Sequence, residues 1–332
     1  MKEGIYLTAH RTLLRAALSF AHVFAWIFVF EYLYLVLHSW ETALVHTVYA
    51  YALTHITTIL TTPYGGRFLG NSVKRTMCYG VIANSLAFLV LGTVFQGSWG
   101  TLTGLGIALF AILFGLYRAL YWAPYVVEHR FAGEQPRYLE RELLIALLPA
   151  LAGILLARGN IIPGQLLFIG SAVLLISLIP LLNITERYEK FSWGYVETFT
   201  RLLSRKNHRI LIEGILLGIE NTALLLLWPI ALLLIVAGSN ALFGIVLTIT
   251  MLMALLLRIP QASFYLTHTH TTDGGHYIDE YTTLREMSES FGRILICSIV
   301  VFVASTSTFV GALLIGFVIA AFAGVVRGFA KS

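Results

Sequence analysis

The chain has 332 residues, 58% of them apolar and 12% charged, and a mean hydropathy of +0.81; a soluble domain carries roughly 45–50% apolar and about 25% charged residues. No polar stretch is long enough to fold as even one soluble domain. The net charge of +5 lies on the flanks of apolar runs rather than in one patch, which argues against a nucleic-acid partner, and the two cysteines, Cys78 and Cys297, make no disulfide framework.

A helix that crosses a bilayer needs about 20 apolar residues. The first apolar run, from Leu13 to Leu37, is too long for a signal-peptide core and lacks a small-residue cleavage site, so it reads as a first span over 14–38. Further spans follow at 42–62, 77–96, 101–123, 141–158 and 163–183. After a polar stretch come 210–237, 240–265, 290–305 and 308–327. The last two are short and meet at Ser305-Thr306-Ser307-Thr308, so a hairpin that stops short of full crossing is an alternative for them.

The positive charges fall on every second connection. Lys2, Arg11 and Arg15, then Arg67, Lys74 and Arg75, then Arg130, Arg137 and Arg141, then the cluster from Arg187 to Arg209, then Arg258, Arg285 and Arg293, and finally Arg327 and Lys331 lie on one side, although Arg258 falls within the eighth apolar stretch; Arg118 lies inside a span and Arg158 at an outer end. The connections around Trp40, Trp99 and Ser239 carry none. Cytoplasmic loops are enriched in Lys and Arg, so both termini are expected inside, in a multi-pass protein of the cytoplasmic (inner) membrane. The expected fold class is an all-α polytopic membrane protein, with six helices before the polar stretch and about four after it.

That stretch, 186–209, places Phe191, Tyr195, Phe199, Leu202 and Leu203 at helical spacing among Arg201, Arg205, Lys206 and Arg209. It reads as a basic amphipathic helix at the inner surface. The chain thus divides into an N-terminal six-helix bundle (1–185), this linker (186–209) and a shortened C-terminal bundle (210–332). A faint internal repeat supports two related halves. Tyr138-Leu139-Glu140-Arg141-Glu142-Leu143 and Tyr281-Thr282-Thr283-Leu284-Arg285-Glu286 each follow an aromatic helix end and a polar loop.

Three features together resemble the major facilitator superfamily. The segment Pro63-Tyr64-Gly65-Gly66-Arg67-Phe68-Leu69-Gly70-Asn71-Ser72-Val73-Lys74-Arg75 is similar to that family's signature loop between helices two and three: Gly66, Phe68, Lys74 and Arg75 fit, while Gly70 stands where the family has an acid. Six helices precede a basic linker, and Gly218-Ile219-Glu220-Asn221 through Trp228-Pro229 looks like the seventh helix of small bacterial members. The second half holds about four helices where the family has six, and the eighth span reads as if it begins as the family's eighth helix and ends as its tenth. The resemblance implies a secondary transporter that moves a small solute by alternating access, with the signature-loop residues Gly66, Arg67, Lys74 and Arg75 in gating. The missing acid and the short second half keep a second reading, a non-transporting scaffold or partner-binding subunit. The partners are an unnamed small solute and the lipid bilayer; proton coupling and homodimerisation are open options.

A charge at the bilayer centre costs about 2.5–3.5 kcal/mol on insertion scales, so charges within spans are the first candidates for a site. Glu31 lies toward the outer end of span one and Arg118 in the inner half of span four. The resemblance places both helices at the cavity, where the two residues would pair if depth allowed; otherwise Arg118 would snorkel to the inner surface. Glu220, followed by Asn221, is the carboxylate best suited to proton or substrate coupling, and His22 and His55 are candidate proton relays. The loop 267–276 contains His268, His270, His276 and Asp273, but its spacing matches no helix-borne metal motif, so no metal is assigned. With no phosphate-cradling loop and no nucleophile elbow, neither an enzyme nor a cofactor is implied.

Overall fold

The computed structural model describes residues 2–132, 138–188, 191–236, 238–258 and 278–329, and every regular element among them is helical. Eight helices are long and apolar enough to cross a membrane. They are α1 (Gly4–Leu37), α2 (Trp40–Leu69), α3 (Val73–Phe95), α4 (Gly100–His129), α6 (Pro163–Leu182), α8 (Arg205–Ile235), α10 (Glu280–Thr306) and α11 (Phe309–Phe329). Between them lie α5, in two pieces, Tyr138–Ala146 and Leu148–Ala157, the short linker helix α7 (Tyr195–Leu202), and α9 (Asn240–Arg258).

The helix ends follow from local chemistry. His38 adopts the left-handed conformation (φ 53°) and closes α1 by donating its N–H to the Tyr34 carbonyl. The next residue, Ser39, accepts the Thr42 N–H at 3.2 Å and opens α2. Ser72 does the same for Arg75 at the start of α3. Proline at the first position starts α6. In α2, Thr47, Thr58 and Thr62 return their hydroxyls to carbonyls four residues back, so a threonine-rich helix buries them at little cost.

Several boundaries differ from the sequence expectation: the fourth span runs past residue 123 to Ala132, and the fifth, expected as one span over 141–158, is broken at Leu147. The Pro63–Leu69 part of the signature segment is helical, and α2 continues through it, so the connection is only Gly70–Ser72. The first helix begins near its N-terminus rather than at residue 14, because Leu7 and His10 are buried against the bundle. The ninth expected span starts not at residue 290 but at Ile278, about three turns earlier, and the final pair forms two full-length helices rather than a truncated hairpin. The polar residues that open α10 are buried by ion pairs, which hydropathy cannot register. Loop 267–276 lies outside the described residues.

Helix packing reveals an internal twofold pattern. In the first half α1 packs on α6 and α5; in the second, α8 packs on α11 and α10. Across the halves α2 packs on α10 and α5 on α9. These pairs equate α1 with α8, α2 with α9, α5 with α10 and α6 with α11, and the sequence repeat at the starts of α5 and α10 agrees. Both α1 and α8 carry a single π-helical turn midway, at Leu18–His22 and Ala223–Leu227. Helices α3 and α4 have no counterpart among the described residues. Glycines set the closest crossings. A Cβ on Gly218 would lie 2.0 Å from the Glu289 carbonyl oxygen, and one on Gly292 2.0 Å from that of Ile215, so α8 and α10 touch backbone to backbone. Gly153 and Gly244 do the same for α5 and α9.

Candidate functional site

Where α1, α2 and α4 of the first half meet α8 and α10 of the second, the bundle buries a cluster of charged, polar and aromatic side chains. Arg118 of α4 reaches across the junction and donates to the Glu286 carboxylate of α10, with both side chains only 12% exposed. One turn along α10, Glu289 accepts from Arg285 at 3.0 Å and from Arg293 at 3.4 Å, and the Arg293 side chain is 3% exposed. Two buried cations and two buried anions therefore face each other, with the partly exposed Arg285 at their edge sharing Glu289.

The aromatic part begins with Trp26 of α1. Its ring meets Tyr51 of α2 edge-on (5.1 Å, 75°) and Phe110 of α4 (5.1 Å, 57°). Tyr51 in turn meets the His55 ring at 4.7 Å, and His55 Nδ1 lies 3.5 Å from the Ser290 hydroxyl. His22, in the π-turn of α1, stacks on Phe114, which is followed by Tyr117. Tyr51 and His55 both lie within electrostatic reach of Arg118 and Arg293. Among the described residues, the Trp26 indole N–H, His55 Nε2, the Tyr117 hydroxyl, Arg118 Nε and Arg293 Nε are buried without a hydrogen-bond partner.

Of the residues singled out in sequence, Arg118, His22 and His55 come together here. Arg118 neither pairs with Glu31 nor snorkels to the surface; its partner is Glu286. The depth argument explains this: Arg118 lies about 27 Å along α4 from Gly100, whereas Glu31 is about 9 Å from the Leu37 end of α1 on the same side. Glu220 sits apart, accepting Arg327 Nε at 2.8 Å and Nη2 at 2.5 Å in a two-pronged pair that joins α8 to α11. Asn221, beside it, is half-buried.

The signature-segment residues form a separate network on the linker side. Lys74 donates to the Ile184 carbonyl (3.2 Å), Arg75 pairs with Glu186 (2.9 Å) and the Val73 N–H donates to the Arg187 carbonyl (2.9 Å), tying the α2–α3 turn to the end of α6. The Ser72 hydroxyl, with Arg75 and Lys74, holds the Glu186 carboxyl below the usual carboxylate range. Gly66 leaves room for the Phe191 ring, 2.8 Å from where a Cβ would stand, and exposed Arg67 lies over Gly194. The linker bridges the halves here: Tyr195, at the start of α7, donates to the Leu60 carbonyl of α2 (3.2 Å), and Ser192, just before α7, donates to Glu280 of α10 (2.8 Å).

Sequence reasoning missed Glu286 and Glu289 as site residues, read Arg293 only as an inner-side charge, and offered Trp26, Tyr51 and Tyr117 only among a larger set of aromatics (with Tyr32, Tyr34, Tyr49, Tyr121 and Trp122) that could line a cavity for an organic solute. The available signal was the run Arg285-Glu286…Glu289…Arg293, whose i, i+4 spacing puts opposite charges on one helical face.

No protein-family model and no curated protein matches the chain. Among solved structures it is similar to the nucleoside transporter NupG, with a TM-score of 0.60 at 13% identity, over 99% of this chain and 99% of that one. The chain is accordingly a multi-pass helical membrane protein that shares the fold of that transporter, with six helices in its first half and four in its second among the described residues.

Proposed function

We propose that the chain is a secondary transporter that moves a small organic solute across the cytoplasmic membrane by alternating access, with both termini inside. One observation carries the reading. The buried cluster of Arg118, Glu286, Glu289, Arg293, His55 and Trp26 is assembled from both halves of the bundle at their junction, where rocking of one half against the other opens a site to one side at a time. Charges buried in a membrane protein mark solute or ion paths. The orientation rests on the basic residues that gather on the linker side.

Proton coupling is assigned to Glu31, which lies within a membrane helix and has no ion pair among the described residues, whereas the Glu220 carboxylate is engaged by Arg327 and is better suited to holding α8 against α11. Gly66, Arg67, Lys74 and Arg75 gate by holding the α2–α3 turn against α6 and the linker. The test is uptake into proteoliposomes of defined pH gradient, with nucleosides, the solute class named for the similar structure, as the first labelled solutes. Uptake that saturates, and that Glu286→Gln abolishes while the variant still folds, supports the reading. A second reading, a non-transporting scaffold, is favoured by the lack of counterparts for α3 and α4 among the described residues; it predicts a folded protein with no saturable flux for any solute.

A further inference from the structure

We infer that the junction site takes an uncharged, planar solute rich in hydrogen-bond acceptors. The inference rests on the transporter reading and adds the chemistry of the solute. Its first support is charge. Among the buried charges Arg118 is matched by Glu286 and Arg293 by Glu289, and the partly exposed Arg285 shares Glu289 from the edge, so a solute with a net charge finds no unmatched buried counter-charge. An uncompensated charge in such surroundings costs several kcal/mol; a neutral solute avoids this.

The second support is the set of unsatisfied groups. The Trp26 indole N–H, Arg118 Nε–H and Arg293 Nε–H can only donate, while His55 Nε2 and the Tyr117 hydroxyl can act either way. Trp26, His55, Tyr117 and Arg293 are each at most 3% exposed. A buried polar group without a partner is destabilising, and donors predominate, so the complementary solute presents carbonyl or hydroxyl oxygens or ring nitrogens.

The third support is the contrast between the two walls. Helices α1, α2 and α4 contribute the rings of Trp26, Tyr51, Phe110 and Phe114, while α10 contributes Glu289, Ser290 and Arg293. A flat solute with one apolar face and a polar edge satisfies both walls, and stacking on aromatic rings adds to what area burial alone supplies.

The experiment measures binding to the purified full chain in lipid nanodiscs, using four probes: uridine, adenosine, uridine monophosphate and ribose. The inference expects both nucleosides to bind, and expects the monophosphate and ribose to bind at least about tenfold more weakly, since one adds charge and the other removes the ring. Trp26→Phe, which keeps a ring but loses the donor, is expected to weaken nucleoside binding about tenfold. Tyr117→Phe gives a second reading of the same kind if the tryptophan variant folds poorly. Monophosphate or ribose binding as tight as uridine overturns the inference, as do unchanged affinities in both folded variants or no binding of either nucleoside. Flux of a charged solute through proteoliposomes sinks this inference while leaving the transporter reading intact. Nucleoside binding in a protein that moves no solute does the reverse.

Discussion

Removing one member of the Arg118–Glu286 pair leaves the other charge stranded between the halves. Both side chains are 12% exposed, and breaking a buried pair from one side costs about 3–5 kcal/mol. Replacing both by neutral groups of similar volume is often nearly free or even stabilising, because the desolvation cost of both charges disappears. Three variants separate these cases: Arg118→Met, Glu286→Gln and the double variant. Glu286→Gln is the milder single change, since Arg118 keeps the attraction of Glu289; about 2–3 kcal/mol is expected for it, against about 3–5 kcal/mol for Arg118→Met. The double variant is expected within about 1 kcal/mol of the parent, which gives a coupling energy of several kcal/mol. Unfolding in mixed micelles titrated with sodium dodecyl sulfate, followed by helical circular dichroism, measures all three. Single variants that each cost less than about 0.5 kcal/mol, or that add without coupling, would refute the assignment of a buried, mutually dependent pair. Uptake separates stability from function: the double variant is expected to fold and yet not transport, because its site has lost the charges that the moving halves share.

Three further outcomes follow from individual residues. Gly218→Val puts side-chain atoms where the Glu289 carbonyl oxygen already stands, so α8 and α10 must separate; a loss of roughly 2–3 kcal/mol is expected in the same titration, and a neutral result removes the tight crossing. Glu31→Gln is expected to preserve uptake driven by the solute gradient while abolishing its dependence on the pH gradient, measured in liposomes with imposed inside and outside pH. For Glu186 the folded-state pKa is depressed, so its tie to Arg75 is fully present above the unfolded carboxylate value and is lost as pH falls through the lower folded value. Hydrogen exchange at the Val73 amide, which donates to the Arg187 carbonyl, is therefore expected to accelerate below about pH 4 relative to the intrinsic rate; protection that stays level to pH 2 contradicts that tie.

The overall fold was legible because lipid imposes a simple rule: apolar length marks the spans and basic residues mark one side. The six-plus-four order and the linker between the halves come straight from that rule. The extent of α10 did not, because Glu280, Glu286, Glu289 and Arg293 look like loop residues to a hydropathy scale. They enter the bundle only because Ser192, Arg118 and each other meet their charges. Such partners lie up to 168 residues away, and no local window contains them. The same limit explains why Glu220 stood out in sequence: its depth was readable, but its engagement by Arg327 across another helix was not. His22, His55 and Arg118 were found because a polar residue in an apolar run is conspicuous alone, whereas Trp26, Tyr51 and Tyr117 were candidates for a cavity wall that nothing local set apart from the other aromatics.

The inferred solute chemistry follows from an asymmetry in an otherwise repeated architecture. Helices α1, α2, α5 and α6 have their counterparts in α8, α9, α10 and α11, and even the π-turns recur. A site built from two equal halves presents similar walls. Here α4 supplies Phe110, Phe114, Tyr117 and Arg118 to one wall, and no described helix repeats it in the second half. The facing wall comes from α10, whose counterpart α5 spends its own buried acid, Glu142, on Arg15 within the first half. One wall is consequently ring-rich with a single cation, and the other carries both carboxylates. The cross-junction pair neutralises Arg118 in place, since the buried carboxylates of the first half among the described residues, Glu128 and Glu142, already face Arg187 and Arg15. The shortened second half thereby makes the two halves depend on each other at the site itself: neither bundle can carry its share of the cluster without leaving charges exposed to the interior of the membrane.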